Sequence, residues 1–294
     1  MKFIKNVILF SALFSALFSA NALADGFSAS VGGDYSTGKY GSGESTNVFY
    51  LPLAATYETG AFTYRVTVPW IRVTGTGDIV PGGLGGSGGG STGGVGTFGC
   101  AGDSRKGASK PEDNGPCAGV ATTSTTSTSR SRSTESGLGD IVAAATYNAF
   151  DGGDTGFVVD LTGRIKFATA SESKGLGSGK TDYALQVNVD KKFNGPYVSF
   201  GLGYKWLGEP RGVSYDNVTY GSLGGGYKFS KLTTVGVSYD WATAAVDGAT
   251  RPQEVSVYAS HYISDQYKLS GVIYSGLSDA SPDVGGGMTL SYYF

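Results

Sequence analysis

One pattern repeats along most of this chain: about ten to thirteen residues in which every second side chain is apolar or aromatic, followed by a break. In the clearest copy Phe157, Leu161 and Ile165 share one face, while Asp160 and Arg164 share the other. Successive side chains of a strand point to opposite faces of its sheet. The pattern therefore predicts strands with one face in lipid and the other in water, as in a membrane β-barrel.

Twelve copies of this pattern predict twelve strands, an even number as in bacterial outer-membrane barrels. Their predicted bounds are 27–39, 47–57, 61–73, 138–150, 157–169, 181–193, 197–207, 218–229, 233–244, 253–263, 267–277 and 285–294. The breaks alternate between short and long, which indicates short periplasmic turns, long outer loops and both termini in the periplasm. The predicted fold class is all-β, a transmembrane antiparallel up-and-down β-barrel. A soluble β-sandwich also alternates, but its strands are usually shorter and its core richer in leucine.

The first residues resemble a secretory signal peptide. Lys2 and Lys5 precede the apolar stretch 7–20, and Ala22-Leu23-Ala24 offers small residues for cleavage before Asp25. No later stretch is apolar for the roughly twenty residues that a spanning helix needs. We therefore expect residues 1–24 to be removed and residues 25–294 to form a barrel in the bacterial outer membrane.

The C-terminal residues and the net charge of the whole chain predict which molecules the protein contacts. Leu290, Tyr292 and Phe294 share one face, and a terminal phenylalanine resembles the signal by which the barrel assembly machinery recognises its substrates. Arg72 falls on the lipid face at the outer end of its strand, where we expect it to meet lipopolysaccharide phosphates. The net charge of -2 leaves no basic surplus for nucleic acid. We expect a monomer surrounded by outer-membrane lipid.

Residues 74–137 interrupt the alternation and are rich in glycine, serine and threonine, which predicts a long extracellular loop. Cys100 and Cys117, the only cysteines, both lie in it. In an oxidising compartment we expect them to form a disulfide, which restrains the unfolded chain by roughly 3 kcal/mol in the entropy model. Too few ligands surround them for a metal site. The loop is predicted either to stand outside or to fold into the barrel mouth.

The stretch Gly-Leu-Gly-Ser-Gly-Lys-Thr-Asp at 175–182 looks like a phosphate-binding loop but departs from it in two ways. Lys174 stands where the motif requires glycine, and the residues that follow alternate like a strand, whereas the motif requires a helix. We interpret the stretch as an outer hairpin, and no cofactor is predicted.

The polar faces of the predicted strands supply the lumen residues, in which six basic side chains meet six acidic ones and predict weak charge selection. The candidates for a lumen constriction are Asp160, Arg164, Lys166, Asp182, Gln186, Asn188, Asp190, Lys192, Lys205, Lys228 and Asp240. Within this set, Lys166 and Lys205 are expected near Gln186, and Asp160 near Lys192.

Five inward glycines mark one sector of the predicted wall: Gly201, Gly203, Gly224, Gly226 and Gly236. Barrels of eight strands fill their interiors with side chains, and barrels of sixteen or more leave a channel. With twelve strands, a wall without side chains predicts a narrow open path. The alternative is that glycine permits strand curvature there and that the long loop plugs the lumen.

The sequence does not predict an enzyme. His261, the only histidine, is placed on the lipid face near the periplasmic rim, and a catalytic histidine needs a nucleophile and an orienting partner. A barrel lipase would need Ser275 or Ser278 beside it.

Three stretches resemble a known family: Ser136-Gly137-Leu138-Gly139-Asp140-Ile141, Arg164-Ile165-Lys166-Phe167 and the hairpin 175–182. They are similar to the outer-membrane transporter family named for the MetA pathway of phenol degradation. The resemblance implies a barrel that moves small aromatic or hydrophobic compounds, and it carries no catalytic residues. The predicted function is a channel that passively admits small solutes. The alternatives are a non-conducting surface barrel, with the long loop as plug or adhesin, and an outer-membrane lipase.

Overall fold

The computed structural model describes residues 26–40, 44–75, 132–209, 215–245 and 248–294. Nearly all of them lie in strands or in the turns between strands. The strands are β1 (Phe27–Gly38), β2 (Thr46–Thr59), β3 (Phe62–Gly75), β4 (Ser133–Leu138), β5 (Val142–Asp151), β6 (Phe157–Lys166), β7 (Asp182–Lys192), β8 (Pro196–Trp206), β9 (Val218–Lys228), β10 (Thr233–Ala242), β11 (Gln253–Tyr262), β12 (Tyr267–Gly276) and β13 (Val284–Tyr293).

The strands close into a single antiparallel barrel. Each pairs with its neighbours in chain order, and β1 completes the ring by pairing with β13 on one side and β2 on the other. Strands β4 and β5 both pair with β3, one above the other, so together they make one position in the wall. The wall therefore has twelve positions, which confirms the predicted fold class.

The fourth position differs from the predicted strand 138–150. It begins earlier, at Ser133, and a break after Leu138 divides it into β4 and β5. The early start was missed because the residues before Gly137 belong to a serine- and threonine-rich tract that shows no apolar alternation. The structure also shortens the predicted loop 74–137 at both ends, since β3 continues to Gly75.

The outer surface of the barrel is more apolar than a surface that faces water. Ile273 and Leu223 are 69% and 60% exposed, and many other large apolar side chains of the strands are exposed as well. An apolar band of this extent is typical of a surface that contacts lipid. Aromatic pairs lie at both rims, including Phe62–Tyr147 and Tyr204–Trp206, each with ring centroids 5.0 Å apart. Among the described residues, no helix is long and apolar enough to cross a membrane.

The short turns and the described chain ends lie at the same end of the barrel. The rings of Phe27 and Phe294 are 5.1 Å apart, and the Phe294 N–H donates to the Phe27 carbonyl. The turn before β6 is longer than the other turns at this end because it contains a 3₁₀ turn, Gly153–Thr155. Gly156 ends it at φ 69°, and a Cβ there would lie 2.2 Å from the Lys192 carbonyl oxygen. Only glycine fits that position.

Candidate functional site

The inner face of the barrel is organised in rows, because residues paired across neighbouring strands point to the same side of the sheet. One row carries three cations, each separated from the next by an alanine. Its members, from β3 to β8, are Arg65, Ala144, Arg164, Ala184 and Lys205. We call it the cation row. It begins near the short turn before β3 and ends beside the long loop after β8.

A second row on the inner face carries amides, hydroxyls and carboxylates. Its members, from β5 to β11, are Asn148, Asp160, Asn188, Gly201, Ser222, Asp240 and Glu254. Within it Asn148 donates to Asp160 at 2.8 Å, and Ser238 of the adjoining row donates to Asp240 at 2.8 Å. In these two rows the cations and the carboxylates are thus separate, with three of each.

Lys166 is the centre of a buried ion triad. Its Nζ lies 3.0 Å from Asp140 Oδ2 and 2.9 Å from Asp182 Oδ2, and it donates to Ser178 Oγ at 3.0 Å. The three charged side chains are only 5%, 7% and 8% exposed. An ammonium group has three donors. All three are used here, which is the condition under which a buried lysine is tolerated.

The two carboxylates of the triad also accept hydrogen bonds from backbone N–H groups in the loops after β6 and β8. Asp140 Oδ1 accepts from the N–H groups of Thr169 and Ala170, at 3.0 and 2.9 Å. Asp182 Oδ1 accepts from the Gly208 N–H at 2.9 Å. The triad therefore ties the loops after β6 and β8 to the barrel wall.

A β-bulge aims Asp140 into the lumen. Leu138 pairs with Trp70, and Val142 pairs with Thr67, so three residues of the fourth position face two of β3. One extra residue reverses which side chains point inward. If the side chains alternated without interruption from β4 to β5, the side chains of one of these two strands would point to the face opposite to the observed one.

The loop 167–181 folds into the mouth of the barrel. Leu176 is 1% exposed and packs with Ala170 against the inner faces of β2 and β3, in a cluster with Val48, Ile71 and Val73. The loop thus crosses the inside of the fourth position to reach β2. Glycines at positive φ, 65° at both 175 and 179, permit the turns this path requires.

Arg164 and Gln186 form a second network beside the triad. Arg164 Nη1 donates to Gln186 Oε1, and to the Tyr220 hydroxyl at 3.4 Å. The Gln186 amide donates to Asn188 at 2.6 Å. Lys205 is almost fully buried, with its Nζ 5.8 Å from the centre of the Tyr220 ring. The structure therefore brings Arg164, Lys166, Asp182, Gln186, Asn188 and Lys205 together near the mouth.

The other predicted lumen residues do not join this group. Lys192 and Lys228 are exposed at the short-turn ends of β7 and β9. The expected proximity of Asp160 and Lys192 was wrong: Asp160 bonds to Asn148, and no ion pair joins it to Lys192 in the described part of the chain. Asp190 is half-buried below Asn188, and Asp240 lies in the second row, on β10. The difference arises because Asn188, and not Lys192, pairs in register with Asp160.

The glycine sector does not leave the open wall that was expected, because tyrosine rings cover three of its five glycines, Gly203, Gly226 and Gly236. A Cβ on Gly203 would lie 2.3 Å from the Tyr220 ring, and one on Gly236 would lie 2.4 Å from the Tyr258 ring. The same arrangement recurs in two further cross-strand pairs, Gly226 with Tyr197 and Gly285 with Tyr274. Each ring lies over the glycine of the adjacent strand, an arrangement known to stabilise glycine in sheets.

These inward tyrosines were missed from the sequence. The Tyr197 and Tyr258 hydroxyls are 2.5 Å apart, and the Tyr274 hydroxyl donates to Asp34 at 2.7 Å. The sequence did indicate their inward direction, because each tyrosine stands at a polar position of its alternating strand. It was hidden because tyrosine is also the residue expected at the lipid interface.

His261 lies on the outer face, where its Nδ1 is 2.8 Å from the Thr233 hydroxyl. It pairs with Leu269, whereas Ser275 pairs with Val255 at the other end of β11, so histidine and serine are not brought together.

No cluster of three metal-ligating side chains occurs in the described ranges. Arg72 is exposed on the outer face, as expected. Cys100 and Cys117 lie outside the described residues.

Comparison with known proteins finds one matching family and solved structures of similar fold. The model of the family described as "Putative MetA-pathway of phenol degradation" matches residues 111–294. The COG4313 outer membrane channel from Pseudomonas putida F1 is similar in fold, with a TM-score of 0.57, 16% identity and coverage of 92% of this chain and 95% of that one. The transport unit of the autotransporter AIDA-I from Escherichia coli has a TM-score of 0.52 and 12% identity, over 94% and 92% of the chains. No curated protein sequence matches.

Proposed function

Because the chain belongs to the family of the MetA-pathway of phenol degradation, we propose that it is an outer-membrane channel that passively admits small solutes. The family and the similar channel from Pseudomonas putida F1 support this class over an enzyme. The name of the family favours small aromatic or hydrophobic compounds as the solutes.

One observation carries the proposal: polar side chains line the inside of a closed barrel and are accessible there. Arg65, Arg164, Asp160 and Asn188 all point inward, yet each is only half-buried. In barrels of eight strands the interior is filled with side chains, whereas this wall has twelve positions. Polar groups that keep part of their surface exposed inside a barrel indicate space for water and for a small solute.

The mouth sets the width of the proposed path. The ion triad and the loop 167–181 pack against the inner wall on the side of β2 to β7, where Leu176 and Lys205 are almost fully buried. A passage must therefore run past this packed side, along the wall that carries the inward tyrosines. This geometry favours small solutes over large ones.

The proposal includes the surroundings of the channel. Residues 1–24 are cleaved as a signal peptide, Phe294 is read by the barrel assembly machinery, and the protein works as a monomer in the outer membrane. The exposed apolar band supports contact with lipid, and Arg72 at the outer end of β3 supports contact with lipopolysaccharide phosphate.

Conductance tests the proposed function. Purified protein inserted in planar lipid bilayers should give discrete current steps, and small aromatic solutes added to one side should reduce them. Folding is checked beforehand by the slower gel migration that a barrel shows after heating. Folded protein that inserts but conducts nothing would refute the channel.

A deletion of residues 82–130 separates the channel from its alternatives. A larger conductance in the deletion variant shows that the long loop acts as a plug on an existing pore. A loss of surface adhesion, with no conductance in either form, supports the adhesin class instead.

A further inference from the structure

We propose that the loop after β6 and the first residues of the loop after β8 form a single gate, which opens and closes the mouth of the barrel as one unit. The gate consists of residues 167–181, the first loop, and residues 207–209, the second loop. The proposal rests on the channel function, since a gate serves a channel, but the coupling of the two loops is measurable without any current.

The two loops are in direct contact at Gly208. A Cβ on Gly208 would lie 2.6 Å from the Lys180 Cβ and 2.7 Å from the Thr181 carbonyl oxygen. Both distances are too short for a residue with a side chain, so the backbone of the second loop lies directly against the end of the first. A movement of either loop at this point therefore changes the packing of the other.

The ion triad binds both loops through one ammonium group. Asp140 accepts from two backbone N–H groups of the first loop, and Asp182 accepts from the Gly208 N–H of the second. Both carboxylates bind Lys166 Nζ, which also donates to Ser178 of the first loop. The hydrogen bonds that hold the two loops thus meet at a single side chain.

A state with only one loop released is the least favourable one. If the second loop left alone, Asp182 would lose the Gly208 N–H while it stayed beneath the first loop. If the first loop left alone, Asp140 would lose both of its N–H donors and Lys166 would lose Ser178. A buried ion network that is only partly satisfied is strongly destabilising. Moving both loops together avoids this state and makes the opening cooperative.

Each loop covers an apolar cluster on a different side of the triad. Leu176 of the first loop packs with Val48 and Ile71, on β2 and β3. Leu207 of the second loop packs against a cluster that includes Val218 and extends over the inner faces of β7, β9 and β10. The gate therefore borders the mouth from β2 to β10, and its opening would widen the mouth on both sides of the triad.

Two cysteine reporters read the loops separately, in protein whose Cys100 and Cys117 are replaced by serine. Ala170→Cys lies in the first loop, and Val218→Cys lies beneath the second. The native side chains are buried, with 8% and 0% of their surface exposed. Both reporters should therefore react slowly with a maleimide when the protein is folded in detergent.

Each perturbation is placed in one loop and read beneath the other. Leu176→Ala removes the apolar anchor of the first loop and should speed labelling of the Val218→Cys reporter. Leu207→Ala removes the anchor of the second loop and should speed labelling of the Ala170→Cys reporter. Each rate should rise by roughly 10-fold or more, because truncating a buried leucine shifts a folding equilibrium by at least that factor.

Two controls separate the gate from a general loosening of the barrel. Leu185→Ala removes the same atoms from the lipid face of β7 and should leave both reporters slow. Ser270→Cys, at a buried position on β12 away from both loops, should stay slow in Leu176→Ala and in Leu207→Ala.

Independent loops would give a different pattern, which would overturn the gate. In that case Leu176→Ala speeds the Ala170→Cys reporter in its own loop and leaves the Val218→Cys reporter slow. A rise at the Ser270→Cys reporter equal to the rise at the loops would also overturn it, because the whole barrel would then have loosened.

Current recordings distinguish the gate from the channel itself. If bilayers show current steps but neither perturbation crosses from one loop to the other, then the gate is wrong and the channel stands. If Leu176→Ala speeds the Val218→Cys reporter but the folded protein conducts nothing, then the coupling of the loops stands and the channel is wrong.

Discussion

Replacing Lys166 by methionine should release the loop 167–181 from the mouth of the barrel. The substitution keeps most of the side-chain volume but removes the ammonium group that binds Asp140 and Asp182. Two buried carboxylates would then face each other without a cation. They can regain water only if the loop that covers them moves away.

The magnitudes decide between a strained closed state and an open one. Removing one partner of a buried ion pair costs about 3–5 kcal/mol when the remaining charge stays buried. Releasing the loop exposes Leu176, the one large apolar side chain that it buries, and this costs about 1.5–3 kcal/mol. Exposing Leu176 costs the same with or without the mutation, so Lys166→Met shifts the loop toward release by the full cost of about 3–5 kcal/mol, which changes the ratio of open to closed molecules by roughly 150- to 5,000-fold.

Labelling of a buried cysteine measures this ratio. Ala170 is 8% exposed in the closed loop, so Ala170→Cys, with Cys100 and Cys117 replaced by serine, should react slowly with a maleimide. Adding Lys166→Met should raise the labelling rate by roughly 100-fold or more. The matched control is the triple change Lys166→Met, Asp140→Asn, Asp182→Asn, which removes every charge of the triad and should keep labelling slow. An unchanged rate in Lys166→Met would refute the idea that the triad holds the loop.

Three further predictions concern assembly and packing. Gly236→Ala places a Cβ 2.4 Å from the Tyr258 ring and should lower the stability of the folded barrel by about 1–3 kcal/mol, as followed by heat-dependent gel migration. The control Gly163→Ala, whose Cβ meets only a Leu185 methyl at 3.7 Å, should have little effect. Deleting Phe294 should reduce the amount of folded barrel in the outer membrane in cells but not refolding in detergent; equal amounts in cells would contradict a role in assembly. The two cysteines should resist alkylation until a reductant is added, and mass spectrometry that finds them alkylated beforehand would rule out the disulfide.

Alternation alone was enough to predict the wall of the barrel. It gave the strands on either side of each short turn and the inward direction of Arg164 and Lys166, because a strand with lipid on one face permits only one pattern. At the fourth position it gave the inward direction of Asp140 but missed the start at Ser133 and the break after Leu138. A bulge adds one residue between Leu138 and Val142, and an extra residue is invisible to a prediction that assumes strict alternation.

The contents of the lumen were harder to predict because they depend on partners far apart in the chain. The sequence predicts that Gly236 points inward but does not predict a tyrosine over it, and only the strand register places Tyr258 there. Leu176 lies in a stretch that reads as a polar hairpin, yet it fills a cluster formed by β2 and β3. Register and loop path are set by turn geometry and by packing across the barrel, which periodicity does not encode.

The paired tyrosines and glycines offer a way to change the width of the pore. Each couple shares one fixed volume between two neighbouring strands, so exchanging its members moves the ring sideways by one strand, about 4.8 Å, without thickening the wall. The four couples stand on β8 to β13, and in one of them the Tyr220 hydroxyl reaches Gln186 and Arg164 beside the ion triad. The cross-section of the pore is therefore adjustable in discrete steps, couple by couple, while the surface that meets the lipid stays the same.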